Sequence, residues 1–77
     1  MAARPEPVPE TIRYASGPIK YSGFYLAGDA HGAWQWYRTD ASVMRTGEFD
    51  SGRQVGTWRT FDRSGRLVKE TRFRERG

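Results

Sequence analysis

A chain of 77 residues with 13 Lys or Arg, nine Asp or Glu and no Cys has room for one small domain with a modest core. The missing cysteines exclude disulfides and thiolate metal sites. No apolar run approaches the length of a membrane-spanning helix.

Residues 1–10, MAARPEPVPE, carry Pro5, Pro7 and Pro9 among acids. Spaced prolines remove backbone donors and favour extended polyproline conformations, so this segment is expected to be a flexible arm. It has no apolar h-region of a signal peptide, and the expected compartment is the cytoplasm. The remainder, 11–77, reads as a single domain of strands and turns. TIRYA (11–15) is β-prone and stops at Ser16-Gly17-Pro18. IKYSGFYL (19–26), AWQWYR (33–38), VMRTGEF (43–49), TWRTF (57–61) and LVKETRF (67–73) follow, each separated by Gly, Asp or Ser clusters. These six runs show no recurrence at helical spacing. Their connections are too short for parallel crossovers, so the fold class is all-β, an antiparallel meander.

A shift of 24 residues lays the chain on itself. Gly23 falls on Gly47, Gly28 on Gly52, Gly32 on Gly56 and Trp34 on Trp58. Tyr25 meets Phe49, Tyr37 meets Phe61, Val43 meets Leu67 and Arg45 meets Lys69. A second shift carries Phe49 onto Phe73. There are two full units, 23–46 and 47–70, with a half unit at each end. The frame Gly-x-aromatic-x-x-Gly-x-x-x-Gly-x-Trp-x-x-aromatic resembles MORN-type repeats, in the bacterial variant that places a Trp after the second Gly. The resemblance covers about residues 12–73. It implies stacked β-hairpins and, because many such proteins are labelled antitoxins, a protein-binding role of antitoxin or immunity-like kind. One departure is Ala41, which stands where the second unit has the turn glycine Gly65.

Each unit is expected to be one hairpin. Gly28 and Gly32 would bracket a loop DAH, and Gly52 and Gly56 a loop RQV, with positive φ where the chain reverses. Gly23 and Gly47 lie inside strands, where glycine weakens pairing unless a large group crosses it. The expected groups are Trp34 over Gly23 and Trp58 over Gly47. Alternation puts Ile19, Tyr21, Gly23 and Tyr25 on one face, and likewise Val43, Arg45, Gly47 and Phe49. Tyr25, Phe49 and Phe73 should form an aromatic ladder, and Ile19, Val43 and Leu67 an aliphatic one.

Catalysis finds no support. The lone His31 has no counterpart in the second unit and no positioned nucleophile, so the chain is read as a non-enzyme without metal or other cofactor. Trp36 aligns with Thr60, so the repeat does not require it, and an unrequired Trp is a natural contact residue. The net charge of +4 arises from Arg38 onward, with ten Lys or Arg against six acids. A basic half can meet an anionic partner or be a solvated face, and the interspersed acids favour the latter. The tail places Arg72 and Arg74 on one side of the last strand, either as edge protection or as a basic strip for an acidic partner. The binding residues expected on these grounds are Trp36, Arg38, Arg59, Arg72 and Arg74. The expected partner is a protein, with nucleic acid or anionic lipid as the alternative. Two units and two halves fall short of the three repeats a solenoid usually needs, so self-association as a homodimer is also expected.

Overall fold

Where the first two of three long turns close, one polar side chain reaches a carbonyl 23 residues on, at the edge of the next turn. The Tyr14 hydroxyl donates to the Tyr37 carbonyl at 2.7 Å, and the Arg38 guanidinium donates to the Phe61 carbonyl at 2.6 Å. These turns connect the strands of a single antiparallel sheet in a computed structural model, which describes residues 6–73. The strands are β1 (Val8–Arg13), β2 (Ile19–Leu26), β3 (Asp29–Ala30), β4 (Gly32–Tyr37), β5 (Val43–Asp50), β6 (Arg53–Phe61) and β7 (Leu67–Phe73). Their order is β1-β2-β4-β5-β6-β7, with the two-residue β3 continuing the β4 side of the first hairpin against β2. The sheet is an open hairpin meander, all-β among the described residues. None of its elements is a helix long and apolar enough to cross a membrane.

Two kinds of connection alternate. The short reversals are Ala27-Gly28 (φ 51° and 90°) and Ser51-Gly52 (φ 49° and 89°), flanked by the pairs Leu26–Asp29 and Asp50–Arg53. Two consecutive positive φ values give a turn whose twist matches that of the strands it joins. The expected loops DAH and RQV are therefore largely strand, and β6 starts at Arg53, not Thr57. The second glycine of each frame, Gly32 (φ 87°) or Gly56 (φ 69°), is a bulge after the turn. Between Thr46 and Glu48 the pairing with β6 slips accordingly. The indoles bond backbone carbonyls beside these turns: Trp34 Nε1 donates to Phe24 O at 3.1 Å, and Trp58 Nε1 donates to Glu48 O and Val55 O at 3.2 and 3.1 Å.

The long turns, residues 14–18, 38–42 and 62–66, share one pattern. The first residue's amide bonds the fifth residue's carbonyl, and its own carbonyl takes the fourth residue's amide. That fourth residue is left-handed: Gly17 at φ 117°, Ala41 at 72° and Gly65 at 90°. Ala41 thus makes the same turn as the glycines, at the steric cost of its Cβ. Asp40 and Asp62 brace the second and third of these turns. The Ser42 hydroxyl on Asp40 and the Ser64 hydroxyl on Asp62 hold both carboxyls below the usual range. Replacing Ala41 by Gly is expected to stabilise the protein by about 0.5–1 kcal/mol. In a domain of this size that raises the melting temperature by a few degrees, roughly 4–8 °C per kcal/mol. A scan showing no increase contradicts strain at Ala41.

Three expectations about boundaries and faces change. Strand β1 begins at Val8, inside the segment read as an arm, because Pro9 is compatible with an edge strand whose outer side makes no ladder. Residues 1–5 of that arm lie outside the described residues. The aliphatic residues do not join the aromatic face. Pairing shifts by one residue beside each long turn, between Ile12 and Arg13, Trp36 and Tyr37, and Thr60 and Phe61. Each shift breaks the alternation. Val43 consequently lines a groove with Thr46 and Phe61 on the face away from Arg45, and Val43 and Leu67 are exposed.

The glycine–indole pairing is as expected. A Cβ built on Gly23 falls on the indole of Trp34, and one on Gly47 falls on that of Trp58. The end strands lack these parts. Glu10 on β1 holds the register place of Trp34 and Trp58, paired with Gly23 as Trp34 is with Gly47. Thr71 on β7 holds the place of the strand glycines, paired with Trp58. The molecule is one layer, 49 × 33 × 11 Å. Among the described residues Trp34, Val55 and Trp58 are the only buried hydrophobic side chains.

Candidate partner-binding face

One register row crosses all six long strands: Ile12, Tyr21, Trp36, Arg45, Thr60 and Lys69. Beside it on the same face runs a zigzag of rings. Tyr25 meets Trp34 at 5.2 Å and 80°, Trp34 meets Phe49 at 6.0 Å and 87°, Phe49 meets Trp58 at 5.1 Å and 85°, and Trp58 meets Phe73 at 6.3 Å and 78°. The expected ladder of Tyr25, Phe49 and Phe73 thus exists, but with an indole inserted between successive rings. Edge-to-face contact at these separations is the favoured arrangement of aromatic quadrupoles. Each indole can lie there because it rests on a glycine.

Trp36 completes this face. Its ring lies near parallel to Trp34 (6.0 Å, 28°) and tilted over Trp58 (5.4 Å, 33°), bridging the two repeats. It remains half-buried, unlike the indoles on either side. Tyr21 stacks on Trp34 from the other side at 6.0 Å. Arg45 stands over the Trp58 ring at 5.8 Å, a cation–π placement. With Lys69, Gln54, Thr60, Thr71 and Phe73 it frames an open groove of about 200 Å³. Neither Arg45 nor Lys69 has a carboxylate within ion-pair distance among the described residues.

The residues expected to bind are not gathered here. Trp36 lies on the aromatic face. Arg38 sits in a turn, where its guanidinium bonds Ser42 Oγ (3.4 Å), Val43 O (3.2 Å) and Phe61 O (2.6 Å). Those bonds make it a staple between turns. Arg59 alternates onto the opposite face and pairs with Glu70 at 2.9 Å. Arg72, paired with Thr57, is exposed on that same opposite face. Arg74 lies outside the described residues. Arg45 and Lys69 are the cations that the aromatic face carries. Their alignment in the repeat, two residues before Gly47 and Thr71, was the signal that places them there.

His31 is a clip between hairpins. Its Nδ1 accepts the Ser51 amide at 3.1 Å, and Asp50 Oδ1 lies 3.9 Å away. Beside it the Gly52 amide donates to the Ala30 carbonyl at 2.8 Å. Among the described residues, no three His, Cys, Asp or Glu side chains converge as a metal site would need. The opposite face bears an apolar groove of about 500 Å³ between two long turns, lined by Val43, Thr46, Phe61 and Arg63 with Ser42 and Ser64.

No family model, curated protein or solved structure matches this chain.

Proposed function

We propose that this protein is a non-catalytic protein-interaction module, a MORN-like hairpin sheet that covers a partner protein with its aromatic face, in the manner of an antitoxin or immunity-like protein. The observation that carries the reading is the uncovered face itself. Seven rings lie on one side of an 11 Å layer, and only two of them are buried. Soluble domains build a core between two layers, so such a face is completed by another protein surface. Aromatic side chains at the centre with Arg45 beside them match the composition of interface cores.

Arg45 and Lys69 beside Trp58 favour one second reading, single-stranded nucleic acid stacked on the rings. Two cations on a face supply few phosphate contacts, and the rings already engage one another edge to face. The protein reading is preferred for that reason.

Affinity capture in the native host distinguishes the readings. The wild-type chain is expected to retain a stoichiometric protein, itself or another, that Trp36→Thr loses. Trp36→Thr installs the residue of the second repeat and leaves the hairpins intact. Equal recovery by the variant, or no protein partner of either sort, refutes the proposal. Nucleic-acid binding that weakens steeply with salt would replace it.

A further inference from the structure

The aromatic face is nearly self-complementary under one rotation. The strand order places three long strands on either side of a midline between β4 and β5. Trp36 and Arg45 are paired across that midline. A two-fold axis along the strands at this midline, within the plane of contact, lays β1 of one copy over β7 of another, β2 over β6 and β4 over β5. Trp36 then faces Arg45 of the second copy, and Arg45 faces its Trp36. Tyr21 faces Thr60, and Ile12 faces the stem of Lys69. Glu10, the acid in the indole place on β1, comes beside the Lys69 ammonium on β7.

We propose, resting on the reading of this face as a protein-binding surface, that its occupant is a second copy of this chain, packed face to face as a two-layer sandwich. Two observations support a second copy as the occupant, and closure follows from the rotation. Charge complementarity is internal at the ends of the face: the acid Glu10 lies on β1 and the unpaired cation Lys69 on β7, and the rotation brings the two strands together. The area suffices, since a face measuring 49 × 33 Å exceeds the roughly 800 Å² per partner of a standard interface. The interface is isologous, so the assembly closes at two copies instead of growing into a fibre. Two stacked sheets of like twist align within about 30°, which leaves the facing pairs within reach near the axis.

Sedimentation of the purified full chain from micromolar to millimolar concentration tests this. A monomer–dimer equilibrium is expected. Trp36→Thr should weaken it by about 30-fold or more, since Trp36 and Arg45 meet at the centre of the interface. Glu10→Lys and Lys69→Glu should each weaken it several-fold. The double variant, Glu10→Lys with Lys69→Glu, should restore it, because both facing pairs are reversed together. Circular dichroism of each variant guards against unfolding. A dimer indifferent to all three single changes overturns the face-to-face assignment. A monomer at every concentration overturns the second-copy occupant. In that case capture of a different protein, lost in Trp36→Thr, leaves the interaction reading standing, and capture of none removes both.

Discussion

Truncating Trp58 to Ala is expected to unfold much of the population at room temperature. Burying an indole and then deleting it costs about 3–5 kcal/mol, the transfer free energy plus the cavity left behind. A domain of this size has a total stability near the low end of about 5–15 kcal/mol. Among the described residues Trp58 is one of three buried hydrophobic side chains, and its loss strips contacts from Phe49, Trp36, Phe73 and Arg45 together. It also leaves the Glu48 and Val55 carbonyls without the Nε1 donor. Urea titration at fixed protein concentration is the measurement, because the proposed dimerisation would make apparent stability depend on concentration. A loss below about 1 kcal/mol would mean that the indole is not the core of its hairpin.

Gly47→Ala should be nearly as damaging, by about 3 kcal/mol, although it adds a single methyl group. Overpacking typically costs about 1–3 kcal/mol, and here the new Cβ falls on the body of a ring instead of a flexible tip. Neither partner can give way easily. The strand is fixed by its ladders on both sides, and the ring is tethered through Nε1. The signature of the mechanism is non-additivity. With Trp58 shortened to Leu, Gly47→Ala should become almost neutral, because the obstacle has gone. A double-mutant cycle reads that coupling, and additive losses would separate the two residues.

How far the sequence could be read follows from the kind of contact each feature makes. Gly23, Gly47, Trp34 and Trp58 were legible because a ring over a bare Cα demands one residue type on each side. Repetition at 24 residues marks that demand twice. Tyr25, Phe49 and Phe73 were placed on the right face by alternation within uninterrupted strands. Val43 and Leu67 were misplaced because one-residue shifts beside the long turns reverse the alternation, and a bulge leaves little trace in residue type. The two-residue reversals at Ala27 and Ser51 were hidden for a related reason. Neither residue announces a positive φ as Gly or Asn would. Arg38 looked like a surface cation because its acceptor, the Phe61 carbonyl, is brought close only when successive hairpins stack. Arg59 and Arg72 lie on the face opposite Trp36 through alternation, one residue from Trp58 and Phe73, which a reading of charge alone overlooks. Charge counts carry no information on which side of a strand a residue points.

Glu10 and Thr71 give the protein a fixed first and last course. A carboxylate in the indole place has no ring to lay on the glycine of a preceding strand, and a threonine in the glycine place shuts out the next indole. Lengthening such a protein is therefore possible only from within, by whole 24-residue insertions that keep both ends in place. Duplication at either terminus would instead bury one end piece in the middle of the sheet and split it there into two independent blocks.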